Sequence, residues 1–176
     1  MDHYPSILVT EEMIIEAKKL ISSVKVHRTI ASQIDTLTGI LGEFAFAQFF
    51  YGDWRQHRVG INKGQVDFGN IEIKTSAFPF RESLNLLVRE DYAYKRKPAF
   101  YVQIILDVES SKVNDIKPGT RAILCGFATS TEVDAAPLRD FGSKFGGQGG
   151  YLCHFIEVTR LQSMELLLKK KDMVNY

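Results

Sequence analysis

Residues 66–76, VDFGNIEIKTS, bring together three charged side chains at a spacing that can do chemistry. Gly69-Asn70 lies between two apolar-alternating runs and signals a hairpin, and glycine in first place suits a type II′ turn. With those two residues as the loop, Phe68 faces Ile71 and Asp67 faces Glu72, Cβ atoms roughly 4.5–5.5 Å apart. Residues two apart on a strand share a face, so Lys74 joins Glu72 while Ile71 and Ile73 turn the other way. Two opposed carboxylates repel, and one lysine offsets only part of that repulsion. A hard divalent cation between them resolves it, because Mg²⁺ takes oxygen ligands and commonly one or two protein carboxylates. The alternative is a solvated face of an amphipathic hairpin, of the kind edge strands carry.

A further carboxylate stands out upstream. Residues 40–51, ILGEFAFAQFFY, are apolar on every side of a helical wheel. Ile40, Leu41, Phe44, Ala45 and Phe49 form one face, and Phe46, Ala47 and Phe50 cover the opposite one, so the helix is expected to be buried. Glu43 falls among Ile40, Phe46, Ala47 and Phe50 by the three-and-four spacing. Burying it is costly unless a cation or a metal-bound water pairs with it. The alternative is a side chain that reaches the surface near the helix start, where the dipole also favours it.

The elements that would position these groups follow from periodicity. The spacing predicts a helix over 10–24, with Thr10 as cap, Glu11 and Glu12 at its positive end, and a stripe of Met13, Ile14, Ala17, Leu20, Ile21 and Val24. A second helix is predicted from Thr36 or Thr38 to Tyr51, closed by Gly52. Paired strands are expected over 66–68 and 71–76, and further strands over 84–89, 100–108, 121–127 and 151–158. Thr129 or Ser130 caps a short helical turn through Glu132, and a last helix covers 161–171. The order gives a mixed α/β class, a central sheet flanked by helices.

A helix carrying Gly-Glu in an apolar run, then Asp, then Glu-x-Lys in a strand, resembles the PD-(D/E)xK nuclease superfamily, the restriction-endonuclease-like fold. The matching segments are GILGEFAFAQFF with Glu43, VDFG with Asp67, and IEIKTS with Glu72 and Lys74, within residues 36–76. Val66 stands where the motif has its proline, and no Gln-x-x-x-Tyr element follows the lysine strand. The resemblance implies a central mixed β-sheet flanked by helices. It implies that Asp67 and Glu72 bind Mg²⁺, with Mn²⁺ as a substitute, and that Glu43 helps to hold the metal or its water shell. Lys74 would orient the attacking water and stabilise the developing phosphorane charge. The implied activity is a metal-dependent deoxyribonuclease hydrolysing phosphodiester bonds, an endonuclease of restriction, repair or phage type. A structure-selective resolvase of the Holliday-junction type is the alternative. A non-catalytic nuclease-like domain that binds DNA or a protein is a third reading, against which the four intact signature residues argue.

The bulk composition is compatible with this. The 176 residues suit one domain spanning 1–176, and 45% hydrophobic with 24% charged residues is ordinary for a globular chain. A formal charge of +1 gives no bulk signal for a polyanion. Basic residues do flank the hairpin: Arg55, His57, Arg58 and Lys63 precede it, and Arg81, Arg89, Lys95, Arg96 and Lys97 follow, with Tyr92, Tyr94 and Phe100 interleaved. Of these, Arg55, Arg58, Lys63, Arg81, Lys95 and Arg96 are the candidate DNA contacts. The glycine-rich segment 141–150, FGSKFGGQGG, is expected to be a loop, either a plain connection or a substrate-touching one with Lys144 for phosphate and Phe141 or Phe145 for stacking. The run Lys169–Lys171 is expected to complement a helix C-terminus. Cys125 and Cys153 sit in apolar runs and read as reduced core residues of an intracellular protein. No apolar run is long enough to span a membrane and the start does not read as a signal peptide, so a cytoplasmic location is expected. One such site cuts one strand, so double-strand cleavage predicts a two-fold homodimer.

Overall fold

The computed structural model of the chain describes residues 3–23, 30–59, 67–90, 97–109, 116–141 and 152–173. In chain order the elements are β1 (Ser6–Leu8), α1 (Glu11–Ser23), α2 (Ile30–Tyr51), β2 (Ile71–Phe78), β3 (Asn85–Arg89), β4 (Phe100–Asp107), β5 (Arg121–Thr129), α3 (Ser130–Ala135), β6 (Leu138–Asp140), β7 (Leu152–Glu157) and α4 (Met164–Lys169). The fold is mixed α/β, as the element order implies. A four-stranded sheet runs β1-β5-β4-β2 and a three-stranded sheet runs β3-β7-β6. The first is mixed, because β2 and β4 are parallel while β4–β5 and β1–β5 are antiparallel. The second is antiparallel throughout.

Strand alternation divides the large sheet into two faces. Phe100, Val102, Ile104 and Leu106 of β4 join Ile71 and Ile73 of β2 and Leu41, Phe44 and Ala45 of α2 in one core. Tyr101 and Ile105 point to the other face, into clusters with Leu86 and Val88 of β3 and with Cys125 and Val158. The sheet is therefore covered by helices on one side and, over β4 and β5, by the smaller sheet on the other.

α1 begins as its sequence requires, with the Met13 N–H donating to Thr10 Oγ1 at 3.2 Å and Met13, Ile14 and Ala17 buried. α2 is longer than expected, starting at Ile30 and not at Thr36 or Thr38. Thr36 and Thr38 have cap chemistry, but Leu37, Thr38 and Ile40 are buried together, and packing overrides a weak propensity signal. The helix ends at Gly52, whose φ of 79° takes the left-handed conformation and whose N–H donates to Gln48 O at 3.1 Å. Lys171 Nζ donates to Phe50 O at 2.7 Å, so the basic run does complement a helix C-terminus, that of α2.

Other differences have local causes. Thr129 and Glu132 form a reciprocal capping box that starts α3. The last helix is shorter than 161–171 because Gln162 exchanges backbone hydrogen bonds with Phe127 at 2.8 and 2.9 Å, holding 161–162 extended against β5. β1 and β6 have three residues each, too short for an alternation pattern to stand out. Cys125 and Cys153 are buried and form no disulfide, and burial pushes the Cys125 thiol up to about 12. No helix among the described residues is long and apolar enough to cross a membrane.

Candidate functional site

The site is built around the outer edge of β2, the strand whose other edge is taken by β4. The Gly69-Asn70 turn forms as its sequence implies. Phe68 and Ile71 exchange backbone hydrogen bonds at 3.0 and 2.7 Å, and Gly69 has φ 54° while no described non-glycine residue has a positive φ, which fits a type II′ turn. The expected ladder does not continue from there: Phe68↔Ile71 is an isolated bridge, and Val66 lies outside the described residues. Asp67 thus does not extend a strand opposite Glu72. Its Oδ2 accepts the Ile73 N–H at 2.7 Å, so the side chain takes an edge donor that a longer strand would have paired through its backbone.

Three elements deliver the four groups. Asp67 sits at the strand edge. Glu72 and Lys74 project from the face of β2 opposite the one packed on α2, and Lys74 Nζ donates to Glu72 Oε1 at 3.3 Å. Glu43 comes from α2, in the helical layer, and shares a side-chain hydrogen bond with Asp67. Gly42 makes that approach possible: a Cβ there would stand 2.7 Å from Thr75 Cβ and would overlap the rest of the Thr75 side chain. Glu43, Asp67, Glu72 and Lys74 therefore meet, although they lie up to 31 positions apart in the chain.

The electrostatics follow from crowding three carboxylates in a poorly hydrated place. Burial raises the Glu43 carboxyl well above its ordinary range, and Asp67, through charge and the shared hydrogen bond, and Glu72 raise it further. Burial also lifts Asp67, to about 7, with Glu72 adding to the rise and Ile73 N–H, Lys74 and Glu43 opposing it. The shared hydrogen bond raises Glu43 and lowers Asp67, the pattern of a Glu43 carboxyl donating to Asp67. Glu72 and Lys74 remain partly open to solvent, with 21% and 29% of their side chains exposed.

These donors suit a hard divalent cation by chemistry and charge: three carboxylates face a single ammonium. As the side chains stand, no group of three or more His, Cys, Asp or Glu among the described residues forms a ready cation cage. The Glu43–Asp67 hydrogen bond and the Lys74–Glu72 contact already engage these carboxylates, so a cation has to compete with both. A groove of about 410 Å³ lies elsewhere, between α3, β7 and the start of β3, and none of the four residues lines it.

Comparison with known proteins gives no match. No protein family, curated protein or solved structure is detectably similar to the chain.

The proposed DNA contacts are less well gathered. Arg55 is engaged within the molecule, with Nη2 2.9 Å from Glu12 Oε2 and its guanidinium 4.6 Å from the Trp54 ring centre. Arg81 follows the far end of β2, six strand residues beyond Glu72, about 20 Å along the chain direction. Arg58 is partly buried just after the short 3₁₀ turn at Trp54–Gln56. Lys63, Lys95, Arg96 and Lys144, with Tyr92, Tyr94 and Phe145, lie outside the described residues. Phe141, at the start of the glycine-rich segment, meets Phe155 edge-on at 5.7 Å and has Arg139 above it.

Two residues escaped the sequence reading. β4 sets Tyr101 beside Glu72 and Gln103 beside Lys74 in parallel register, which puts both on the site's face of the sheet. Tyr101 is 4% exposed, and burial, then Glu72 and Asp134, raise its hydroxyl. The available signal was a single glutamine inside the apolar run FYVQIILD.

Proposed function

We propose that the chain is a divalent-metal-dependent deoxyribonuclease that hydrolyses phosphodiester bonds at the edge of β2. The observation that carries this is the meeting of Glu43, Asp67, Glu72 and Lys74 from three separate elements in a partly desolvated cluster in which Glu43 and Asp67 share a hydrogen bond. A structural ion pair does not need three carboxylates, and burying them together is costly unless their charge has a use. The agreement of these residues with the Glu, Asp, Glu-x-Lys pattern supports a nuclease over other metal chemistries.

Asp67, Glu72 and Glu43 would hold Mg²⁺, or Mn²⁺ in its place, which when bound supplies charge neutralisation at the phosphate and water acidic enough to react near neutral pH. The chain's own groups do the rest. Glu72 anchors Lys74 at the face of β2. Lys74 carries a positive charge to the non-bridging oxygens, where negative charge grows as the water oxygen bonds to phosphorus and the bond to the 3′-oxygen breaks. Asp67 is fixed by the Ile73 N–H, so its second oxygen has a set direction. Glu43 must lose its proton for the full donor set to form. DNA is the proposed substrate, and a two-fold pair of chains is the proposed arrangement for cutting both strands.

The test is a cleavage panel of linear, supercoiled, single-stranded and branched DNA with Mg²⁺ or chelator, alongside calorimetry with Mg²⁺. Metal-dependent cleavage lost in Lys74→Met, with fold and DNA binding kept, is expected. Preference for branched DNA would select the resolvase form of the activity. An inert wild-type protein that binds no Mg²⁺ in the millimolar range would overturn the proposal.

A further inference from the structure

Tyr101 brings to the site a hydroxyl that the protein does not use for itself. β4 sets the residue in register with Glu72 of β2 on one side and with Ala128 of β5 on the other, on the face that carries Glu72 and Lys74. Its ring is held in a cluster with Leu86 and Val88 of β3, Ala128 and Val133, and the residue is 4% exposed. A tyrosine with its body buried ordinarily finds a partner for its oxygen. The Tyr101 hydroxyl makes no hydrogen bond among the described residues, and it is not one of their fully buried atoms that lack a partner. It therefore reaches solvent at the tip of a fixed ring.

Two acids face this hydroxyl, and both are engaged elsewhere. Glu72 receives Lys74 Nζ at 3.3 Å, and Asp134 receives Lys97 Nζ at 3.1 Å. Neither is hydrogen-bonded to the phenol. Burial, then Glu72 and Asp134, hold the phenol above its ordinary range, so at neutral pH it keeps its proton and is a neutral donor. The acceptor it lacks can come from outside. Paired strands stand about 4.8 Å apart, so a phosphate seated at Glu72 and Lys74 has Tyr101 as its next neighbour across the sheet. A donor that is already oriented costs no reorganisation when charge builds on that phosphate.

We propose that Tyr101 is a further catalytic residue, its hydroxyl donating a hydrogen bond to a non-bridging oxygen of the scissile phosphate. The bond strengthens as that oxygen gains negative charge during attack by water, and no proton changes hands. Lys74 supplies charge at the same phosphate, and Tyr101 adds a directed neutral donor from the neighbouring strand. This rests on the nuclease reading of the same site.

The experiment is single-turnover cleavage by Tyr101→Phe, with enzyme in excess over DNA and Mg²⁺ saturating, and thermal melts alongside. Phe keeps the ring in its cluster and removes only the oxygen. The rate constant should fall at least about tenfold, less than for a donor lost from an enclosed oxyanion hole because this one meets solvent. Tm and DNA affinity should be unchanged. Sulfur in place of the contacted non-bridging oxygen should slow the wild type more than Tyr101→Phe, because sulfur is the poorer acceptor and the variant has no donor left to lose. A second readout needs no turnover. Among the seven tyrosines, that at 101 is assigned in protein labelled with 3-fluorotyrosine by the fluorine signal missing from Tyr101→Phe. With Mg²⁺ present, this signal should move on adding a thymidine dinucleotide and stay in place on adding thymidine. With a wild type that cuts DNA, an unmoved signal, a Tyr101→Phe rate equal to the wild type's, or equal sulfur effects in the two proteins would overturn the role of Tyr101 and leave the nuclease reading standing. A wild type that neither cuts DNA nor binds Mg²⁺ overturns both.

Discussion

Replacing Asp67 by Asn should stabilise the metal-free protein at alkaline pH. Asn keeps an oxygen for the Ile73 N–H, now at 2.7 Å from Asp67 Oδ2, and removes one negative charge from beside Glu43 and Glu72. The folded-state value of Asp67 is lifted from 3.8 to about 7, so between those values the native protein holds a proton that the unfolded chain has released. Stability therefore falls as pH rises through that window and stays low above it. At about 1.36 kcal/mol per unit the shift corresponds to about 4 kcal/mol, and solvent around a partly open cluster reduces this to about 2 kcal/mol. For a chain of this length that is about 4–8 °C in Tm. Thermal melts of wild type and Asp67→Asn in chelator at pH 5 and pH 8 measure it. The variant's advantage should be small at pH 5, early in the window, and should reach its full size at pH 8, above it. Excess Mg²⁺ should reverse the order at pH 8, since ligand at a hundred times Kd adds about 2.7 kcal/mol to a protein that binds it. Parallel pH profiles, or an Asp67→Asn protein less stable at pH 8 in chelator, would refute the account of the cluster.

Three further outcomes follow from packing. Gly42→Ala should lower stability by about 1–3 kcal/mol in chemical denaturation, because the added Cβ meets Thr75 and pushes α2 off β2; Mg²⁺ affinity by calorimetry should fall with it as Glu43 is displaced. Gly126→Ala should cost more, by urea titration, since the residue combines φ 139° with a Gln162 oxygen only 2.5 Å from the new Cβ. Lys171→Met should lower stability by about 1 kcal/mol in the same assay by removing the donor to Phe50 O and the cation above the Phe50 ring.

Local pattern settled a great deal of this molecule. The continuous apolar surface of ILGEFAFAQFF requires a buried helix wherever it lands, the Gly69-Asn70 pair requires a tight turn, and strand alternation puts Glu72 and Lys74 on one face and Ile71 and Ile73 on the other. Each of these depends on neighbours a few residues away, which is the range over which backbone geometry is determined. What the hairpin reading missed depends on longer range. Nothing near Asp67 in the chain says that its carboxylate will take the Ile73 N–H in place of a second strand, because that depends on where the ladder stops. Nothing near Gln103 says that it will stand beside Lys74, because a parallel pair is brought into register by the crossover between β2 and β4. The pairing of Glu43 with Asp67 is likewise a tertiary event: the helix makes Glu43 costly to bury, but only the close approach at Gly42 and Thr75 determines which partner meets it.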